Sequence, residues 1–231
     1  MEIPKKGEHA IVIGQNGSGK SYLLQELIRL AEIAPIFILD SKGDNGFLTV
    51  SRPDETLTIF SDGIEKFKKF IAQPARKIPE YVVIRPPDAE VTVPEVLDYY
   101  VQLIRDNFKR PCVIVIDELY MLHRNGRCGP GIAGALTRGR SRDQRLYGAS
   151  QRPGWISRFC LSEVNHYYVF RLVDIDDRKR LSFIGLDKSR PLDQFHFYEY
   201  HAKSGAGAQH APLPYRAEID SVNVTDKGRW I

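Results

Sequence analysis

A chain of 231 residues, 42% of them hydrophobic and 27% charged, has the balance of a globular protein, which excludes a mainly disordered or collagen-like chain. Its 33 Lys and Arg against 29 Asp and Glu leave a formal net charge of only +4, and no apolar run approaches the roughly 18–20 residues that cross a bilayer. The length suits one large domain; Met1–Lys6 has no apolar stretch behind its lysines, unlike a secretory signal, and the scattered Cys112, Cys128 and Cys160 read as reduced thiols, not as a disulfide frame or a zinc site.

Apolar runs alternate with amphipathic ones along the chain. His9–Ile13 reads as a buried strand opening onto glycines. Leu23, Leu24, Leu27, Ile28 and Ile33 have helical spacing within Ser21–Ile33. Pro35–Leu39 is a second strand and Thr56–Phe60 a third, followed by a helix over Ile64–Ile71 and a strand over Tyr81–Ile84. Pro94–Phe108 opens with a proline suited to a first helical turn. Pro111–Ile116 is a continuous apolar run, the mark of a central parallel strand. Gly131–Arg140 is predicted helical, Leu146–Ser150 and Tyr167–Leu172 strands, and the aromatic stretch within Gln194–Tyr200 an edge strand. Strand–helix alternation predicts an α/β domain with a mainly parallel sheet. One domain is expected over 1–200, with 201–231, first Gly- and Ala-rich and then mixed, as an irregular C-terminal arm packed on the same domain or on a neighbouring subunit.

Gly14-Gln15-Asn16-Gly17-Ser18-Gly19-Lys20-Ser21 fits G-x-x-x-x-G-K-[ST], between an apolar strand and an amphipathic helix. Glycines let backbone N–H groups turn inward around a triphosphate, where side chains would block the approach. Lys20 then reaches the β- and γ-phosphates, Ser21 can ligate Mg²⁺, and the helix N-terminus favours anions. Val113–Ile116 ends in Asp117-Glu118: Asp117 is expected to hold Mg²⁺ and Glu118 to polarise an attacking water, so the tandem points to hydrolysis. Gln151, at the end of the Leu146–Ser150 strand, shares the sheet edge where open α/β folds bind ligands. It either orients water or senses the γ-phosphate, or is simply a polar residue where a strand meets a turn.

Charge is unevenly spread. Met121–Cys160 holds eight arginines (Arg124, Arg127, Arg138, Arg140, Arg142, Arg145, Arg152, Arg158) and one acid, Asp143, for a net +7 on an otherwise mildly acidic chain. Such asymmetry indicates an anionic partner or a solvated basic face. The histidines show no H-x-x-x-H pairing, so no structural metal is assigned.

Taken in order, the loop Gly14–Ser21, the strand end Leu39-Asp40-Ser41-Lys42-Gly43-Asp44, the strand Val113–Glu118 and Ala149-Ser150-Gln151-Arg152-Pro153 resemble the FtsK–HerA superfamily of DNA-pumping ATPases. In that superfamily strand ends of the types Asp-x-Lys-Gly and Ala-Thr-Gln-Arg-Pro recur; Ser150 stands here where Thr is commoner. The short chain is most similar to the genome-packaging ATPases of tailless icosahedral viruses with internal membranes, the tectivirus and poxvirus type. The resemblance covers about residues 8–172. It implies a three-layer P-loop NTPase fold of the additional-strand type, with the Gln151 strand between the P-loop strand and the Asp117 strand. It also implies a homo-oligomeric ring, usually a hexamer, with ATP and Mg²⁺ between subunits and double-stranded DNA, bound without sequence preference, in the channel. Capsid-vertex or membrane packaging proteins are the implied partners, and the host cytoplasm or the virion packaging vertex the implied location. By position, Lys20 and Ser21 match the Walker A pair, Asp117 and Glu118 the Walker B pair, and Gln151 the polar sensor. Arg140 or Arg142 matches an arginine finger acting on the neighbour's ATP. Arg124 and Arg127, around Gly126, are placed to touch DNA phosphates. Two alternatives stay open at this level: a monomeric P-loop phosphotransferase, whose lids are also arginine-rich, and a zonula-occludens-toxin-type assembly or secretion ATPase. Lys42 is part of the resemblance without an assigned role.

Overall fold

The computed structural model describes residues 1–43, 57–186, 189 and 191–213. In chain order β1 (Ala10–Ile13) leads into α1 (Lys20–Arg29), β2 (Ile36–Leu39), β3 (Leu57–Phe60), α2 (Ile64–Ile71), β4 (Tyr81–Ile84), the single turn α3 (Asp88–Val91) and α4 (Pro94–Asn107). Then come β5 (Cys112–Ile116), the small hairpin β6 (His123–Arg124) and β7 (Arg127–Cys128), α5 (Pro130–Thr137), β8 (Gln144–Ser150) and α6 (Arg158–Glu163). The described chain closes with β9 (His166–Val169), α7 (Ile175–Arg180), β10 (Phe197–His201) and β11 (Ala206–His210).

One nine-stranded sheet has the order β11-β10-β9-β1-β8-β5-β2-β4-β3, parallel throughout except at β10 and β11. β8 lies between β1 and β5, as the sequence resemblance implies, with Ile13 beside Ser150 and Ile116 beside Gly148. The inner strands are apolar on both faces, as a sheet covered on both sides requires. Alternate residues divide between the two faces. Ile11, Ile13, Phe37, Leu39, Ile114 and Ile116 pack with α2, α4 and α5, whereas Ala10, Val12, Ile36, Ile38, Val113 and Val115 pack with Leu23, Leu24, Leu27 and Ile28 of α1. The result is a three-layer α/β P-loop NTPase fold of the additional-strand type.

Buried polar groups fix the layers. Asp98 of α4 accepts from the backbone N–H groups of Gly131 (2.7 Å) and Ile132 (2.8 Å), capping the start of α5 from a neighbouring helix. The helices approach so closely that a Cβ on Gly131 would lie 2.1 Å from the Asp98 carbonyl oxygen. At the opposite sheet edge from the phosphate loop, His9 Nδ1 accepts from Leu146 N–H and its Nε2 donates to the Leu136 carbonyl, each at 3.1 Å. Beside it Glu8 meets His166 Nε2 at 2.8 Å and Lys203 at 2.5 Å, with His201 Nε2 at 3.9 Å. Burial alone would raise the Glu8 carboxyl, but Lys203 and His166 outweigh it and hold it down to about 2.

Four sequence expectations change. The helix over Gly131–Arg140 stops at Thr137 and tightens into a 3₁₀ turn, Arg138–Arg142. Gly139 and Ser141 are poor helix formers, and Asp143, in the left-handed region at φ 54°, turns the chain into β8. The expected strand over Tyr167–Leu172 is shorter: β9 ends at Val169, and Phe170–Leu172 turn toward the phosphate loop. The aromatic strand is not the sheet edge, because β11 pairs outside β10. Its small residues are a fit to a neighbour: a Cβ on Gly207 would lie 1.8 Å from the Tyr198 hydroxyl oxygen. The segment from residue 201, expected to be an irregular arm, thus starts inside the β10–β11 hairpin, while 214–231 lie outside the described residues, as do Asp44 and Thr56 of the sequence motifs.

Candidate functional site

The loop Gly14–Gly19 links β1 to α1 at the carboxyl end of the parallel strands, and the backbone ties it to both neighbours of β1. Gly14 N–H donates to the Ser150 carbonyl on β8, and Gln15 N–H to the Arg171 carbonyl after β9, each at 3.1 Å. Gly14 has no room for a side chain: a Cβ there would lie 2.5 Å from Ser18 Oγ and 2.7 Å from Phe170 Cβ. Gly17 (φ 69°) and Gly19 (φ 103°) adopt the left-handed backbone that turns successive N–H groups the same way. Lys20 begins α1 and is buried, whereas Ser21 and Asn16 are exposed at the loop surface. Burial pulls the Lys20 ammonium below its usual range, with Glu118 opposing that shift and the Lys42 charge adding to it.

The adjacent end of β5 carries Asp117 and Glu118, 3% and 0% exposed. Gln151, one residue past β8, donates its amide to Glu118 Oε1 at 2.6 Å. Lys42 Nζ contacts the same oxygen and lies 3.7 Å from Asp117 Oδ2. The turn that presents Lys42 is fastened by Asp40, whose Oδ1 accepts from Gly43 N–H (2.9 Å) and whose Oδ2 accepts from Arg85 Nε (2.8 Å). Lys20, Lys42, Asp117, Glu118 and Gln151 thus come from four strand ends that are neighbours in the sheet. Lys42 lies in the Asp-x-Lys-Gly turn that the sequence shows at a strand end, whereas Arg85 belongs to no sequence motif.

The loop before β10 also reaches the phosphate loop. Gln194 donates to the Gly17 carbonyl at 2.7 Å, and the Phe195 ring, half exposed at φ 62°, stands near Gly19. Neither contact is visible in the sequence pattern, because 177 residues separate Gln194 from Gly17 and nothing local in the aromatic stretch points to the phosphate loop.

The arginine block does not form one face. Arg124 and Arg127 sit on the β6–β7 hairpin, Arg124 in an exposed ion pair with Glu95 at 2.8 Å. Arg152 stands beside Gln151, paired with Asp177 (3.4 Å) and Asp174 (3.5 Å). Arg140 and Arg142 precede β8 and therefore lie at the far edge of the sheet, on the order of 20 Å from the chain's own phosphate loop at about 3.3 Å per strand residue. There Arg140 holds Glu163 through its carboxylate (3.1 Å) and carbonyl (2.5 Å), and Arg142 reaches the Arg105 carbonyl at 3.4 Å.

The residues fit a nucleotide and a hard cation. Gly17 and Gly19 turn the loop backbone with φ of 69° and 103°, and the buried Lys20 that follows is close enough to interact with the buried carboxylates of Glu118 and Asp117. Oxygen ligands suit Mg²⁺, which Ser21 and Asp117 could hold.

Comparison with known proteins agrees with this geometry. The DNA packaging ATPase P9 of Enterobacteria phage PRD1 is 26% identical over 232 residues, spanning 93% of this chain and 91% of the relative. The fold matches the genome packaging NTPase B204 of Sulfolobus turreted icosahedral virus 2, solved with AMPPCP, at a TM-score of 0.66 and 20% identity, covering 90% of this chain and 100% of that one. It also matches the bacterial conjugative coupling protein TrwB (TM-score 0.64, 13% identity, 95% and 89% covered) and VirB4 of Thermoanaerobacter pseudethanolicus (0.64, 10%, 92% and 91%). No family model matches the chain. With its phosphate loop, its acidic β5 end and its Gln151 strand between the two, the chain has a P-loop NTPase fold and is similar to the DNA packaging ATPase P9 of phage PRD1 and, in fold, to the genome packaging NTPase B204 and the coupling protein TrwB.

Proposed function

We propose that this ATPase couples ATP hydrolysis to pumping double-stranded DNA, and that its task is packaging a viral genome into a preformed capsid. The observation that carries the hydrolytic half is the contact between Gln151 and Glu118, 2.6 Å long, beside the phosphate loop. A buried carboxylate oriented by an amide is the arrangement that aligns and deprotonates a water for in-line attack on the γ-phosphate. Gly14–Gly19 wrap the triphosphate with backbone N–H groups and Lys20 neutralises its β- and γ-oxygens. Mg²⁺, held by Ser21 and Asp117, would supply the remaining positive charge on the phosphate oxygens. Asp117, Glu118 and Gln151 stay fixed because β5 and β8 are inner strands of the sheet.

The DNA half draws on the named packaging function of P9 of phage PRD1 and of B204. Arg124 and Arg127, on an exposed hairpin that follows Glu118, suit phosphate contacts that carry no sequence information. Arg140 and Arg142 are remote from the chain's own phosphate loop, so as fingers they would act on a neighbour's ATP, which calls for a homo-oligomeric ring, a hexamer by family resemblance. Capsid-vertex or membrane packaging proteins would dock such a ring in the host cytoplasm or at the virion vertex; no described helix is long and apolar enough to cross a membrane.

Phosphate release with and without linear double-stranded DNA, together with the mass of the assembly in the presence of nucleotide, tests the reading. DNA-stimulated hydrolysis by an oligomer is expected. Phosphate transfer from ATP to a small acceptor by a monomer, with no response to DNA, would replace the motor with a phosphotransferase.

A further inference from the structure

Asp117 and Glu118 are two adjacent carboxylates taken out of water, 4% and 0% exposed at their side chains. Buried charge of one sign is strongly unfavourable unless an opposite charge faces it. Lys20 is close enough to feel both acids, but its own role is at the phosphates. A second cation, Lys42 from the turn after β2, reaches them directly: its ammonium contacts Glu118 Oε1 and lies 3.7 Å from Asp117 Oδ2.

We propose that Lys42 is the resident counter-ion of the metal site. Its ammonium neutralises Asp117 and Glu118 while the site holds no nucleotide, and it must withdraw when a divalent cation takes that position. The inference rests on reading Asp117 as a metal ligand.

Three features of the turn suit a side chain that leaves and returns. Lys42 is a third exposed, so its stem borders solvent and a flexible four-carbon chain can swing outward. The backbone beneath it stays put, because Asp40 fastens Gly43 N–H on one oxygen and Arg85 on the other. Glu118 stays aimed when Lys42 departs, because Gln151 holds the same oxygen, Oε1.

The test reads metal binding alone, on the full chain without nucleotide, using Mn²⁺ as a paramagnetic probe and following the free-ion signal. Removing a unit charge at this distance should tighten Mn²⁺ binding about tenfold or more in Lys42→Ala. Lys42→Gln, which keeps a donor toward Glu118 without the charge, should do the same and serves if the alanine variant does not fold. Lys42→Arg, which keeps the charge, should bind Mn²⁺ as weakly as the unmodified chain. Equal Mn²⁺ affinity across the unmodified chain and the neutral variants, or tightening in Lys42→Arg equal to that in Lys42→Ala, overturns the proposal. Adding Asp117→Asn to Lys42→Ala should erase the gain; Mn²⁺ binding that survives it would instead remove Asp117 from the metal site, a separate failure.

Discussion

The side-chain amide of Gln151 donates to Glu118 Oε1 at 2.6 Å, so the ends of β8 and β5 share one hydrogen bond at the edge where the phosphate loop lies. β8 and β5 are paired in register, Ile116 beside Gly148, which brings Glu118, two residues on, and Gln151, three residues on, within reach. If Glu118 is the base, replacing it by Gln should lower phosphate release by about 10²–10⁴-fold. Replacing Gln151 by Ala leaves the base but not its orientation, and a loss of about 10–100-fold is expected. Fluorescent-nucleotide binding should survive in both variants. Loss of nucleotide binding in Gln151→Ala would show a role in holding the phosphates and not in orienting Glu118.

Gly14 gives a steric prediction. Its missing side chain leaves space used by Ser18 Oγ and by Phe170 Cβ, at 2.5 and 2.7 Å from where a Cβ would stand. Phe170 cannot retreat at its Cβ without moving the backbone that pairs with Ile13, a bond of 2.7 Å. Gly14→Ala should therefore distort the loop and cost at least about tenfold in nucleotide affinity, with a melting temperature lowered by a few degrees, about 1–3 kcal/mol of overpacking. Unchanged affinity in a titration with fluorescent ATP would mean that the loop opens on binding and takes up the extra carbon.

These residues were legible because each of them is local. Gly14–Ser21 is a contiguous motif, and Asp117-Glu118 ends a run of four apolar β-branched residues that only an inner strand explains. Gln151 was placed because a strand end in a parallel sheet fixes which edge it occupies. What the sequence concealed is non-local. Lys42 and Glu118 are 76 positions apart, and nothing in either segment states that β2 and β5 are neighbours. Likewise Glu8, His166 and His201 converge only because β1, β9 and β10 lie side by side. β11 escaped notice because Ala206–His210 has weak strand propensity, and pairing with β10 overrides it.

His9 makes acid stability a property of one buried imidazole. Burial lowers its pKa from the usual 6.5 to about 4, with the positive charge of Arg140 adding to the effect. In the folded state the ring is neutral, Nε2 donating to Leu136 and Nδ1 accepting from Leu146. Below pH 6.5 the unfolded chain takes up a proton that the folded chain refuses, so stability falls as pH drops from about 6.5 to about 4 and levels off below that. His123 and His166, also shifted downward by burial, act in the same direction. Glu8, held down to about 2, adds a second loss below its ordinary range near 4.5. Denaturant melts at pH 7.5 and 5.5 should show the chain less stable at the lower pH. His9→Gln, which can keep one of the two hydrogen bonds, should flatten that slope by about one proton. An unchanged slope would assign the uptake to the other histidines.

On the β6–β7 hairpin, Arg124 and Arg127 flank the turn Asn125-Gly126, whose residues both have positive φ. Arg124 is exposed and, among the described residues, pairs with exposed Glu95, a contact worth little in water and easily exchanged for a phosphate. Arg124→Ala combined with Arg127→Ala should reduce the slope of log affinity against log salt for double-stranded DNA by about 2. DNA stimulation of hydrolysis should fall with it. A double variant with the parent salt slope would remove the hairpin from the DNA path.

Arg140 and Arg142 stand at the far end of β8 from Gln151, so the sheet itself separates them from the chain's own nucleotide site. If either reaches ATP it reaches a neighbour's, and complementation distinguishes this from a purely structural role. Arg140 anchors Glu163 through its carbonyl and carboxylate, so Arg140→Ala should also loosen α6, whereas Arg142 has one long contact, 3.4 Å to the Arg105 carbonyl, and should be cheaper to remove. A finger that neutralises charge on the γ-phosphate is worth about 10³–10⁵-fold in rate. Subunits carrying Lys20→Ala lack a working site but keep their arginines; subunits carrying Arg140→Ala or Arg142→Ala keep the site but lack one finger. Lys20→Ala and the variant that lacks the finger are each expected to be nearly inactive alone, and rings mixed from the two should recover hydrolysis wherever an intact site faces an intact arginine. Recovery with one arginine variant and not the other would identify the finger. No recovery with either would leave Arg140 and Arg142 as struts between the 3₁₀ turn, α6 and α4.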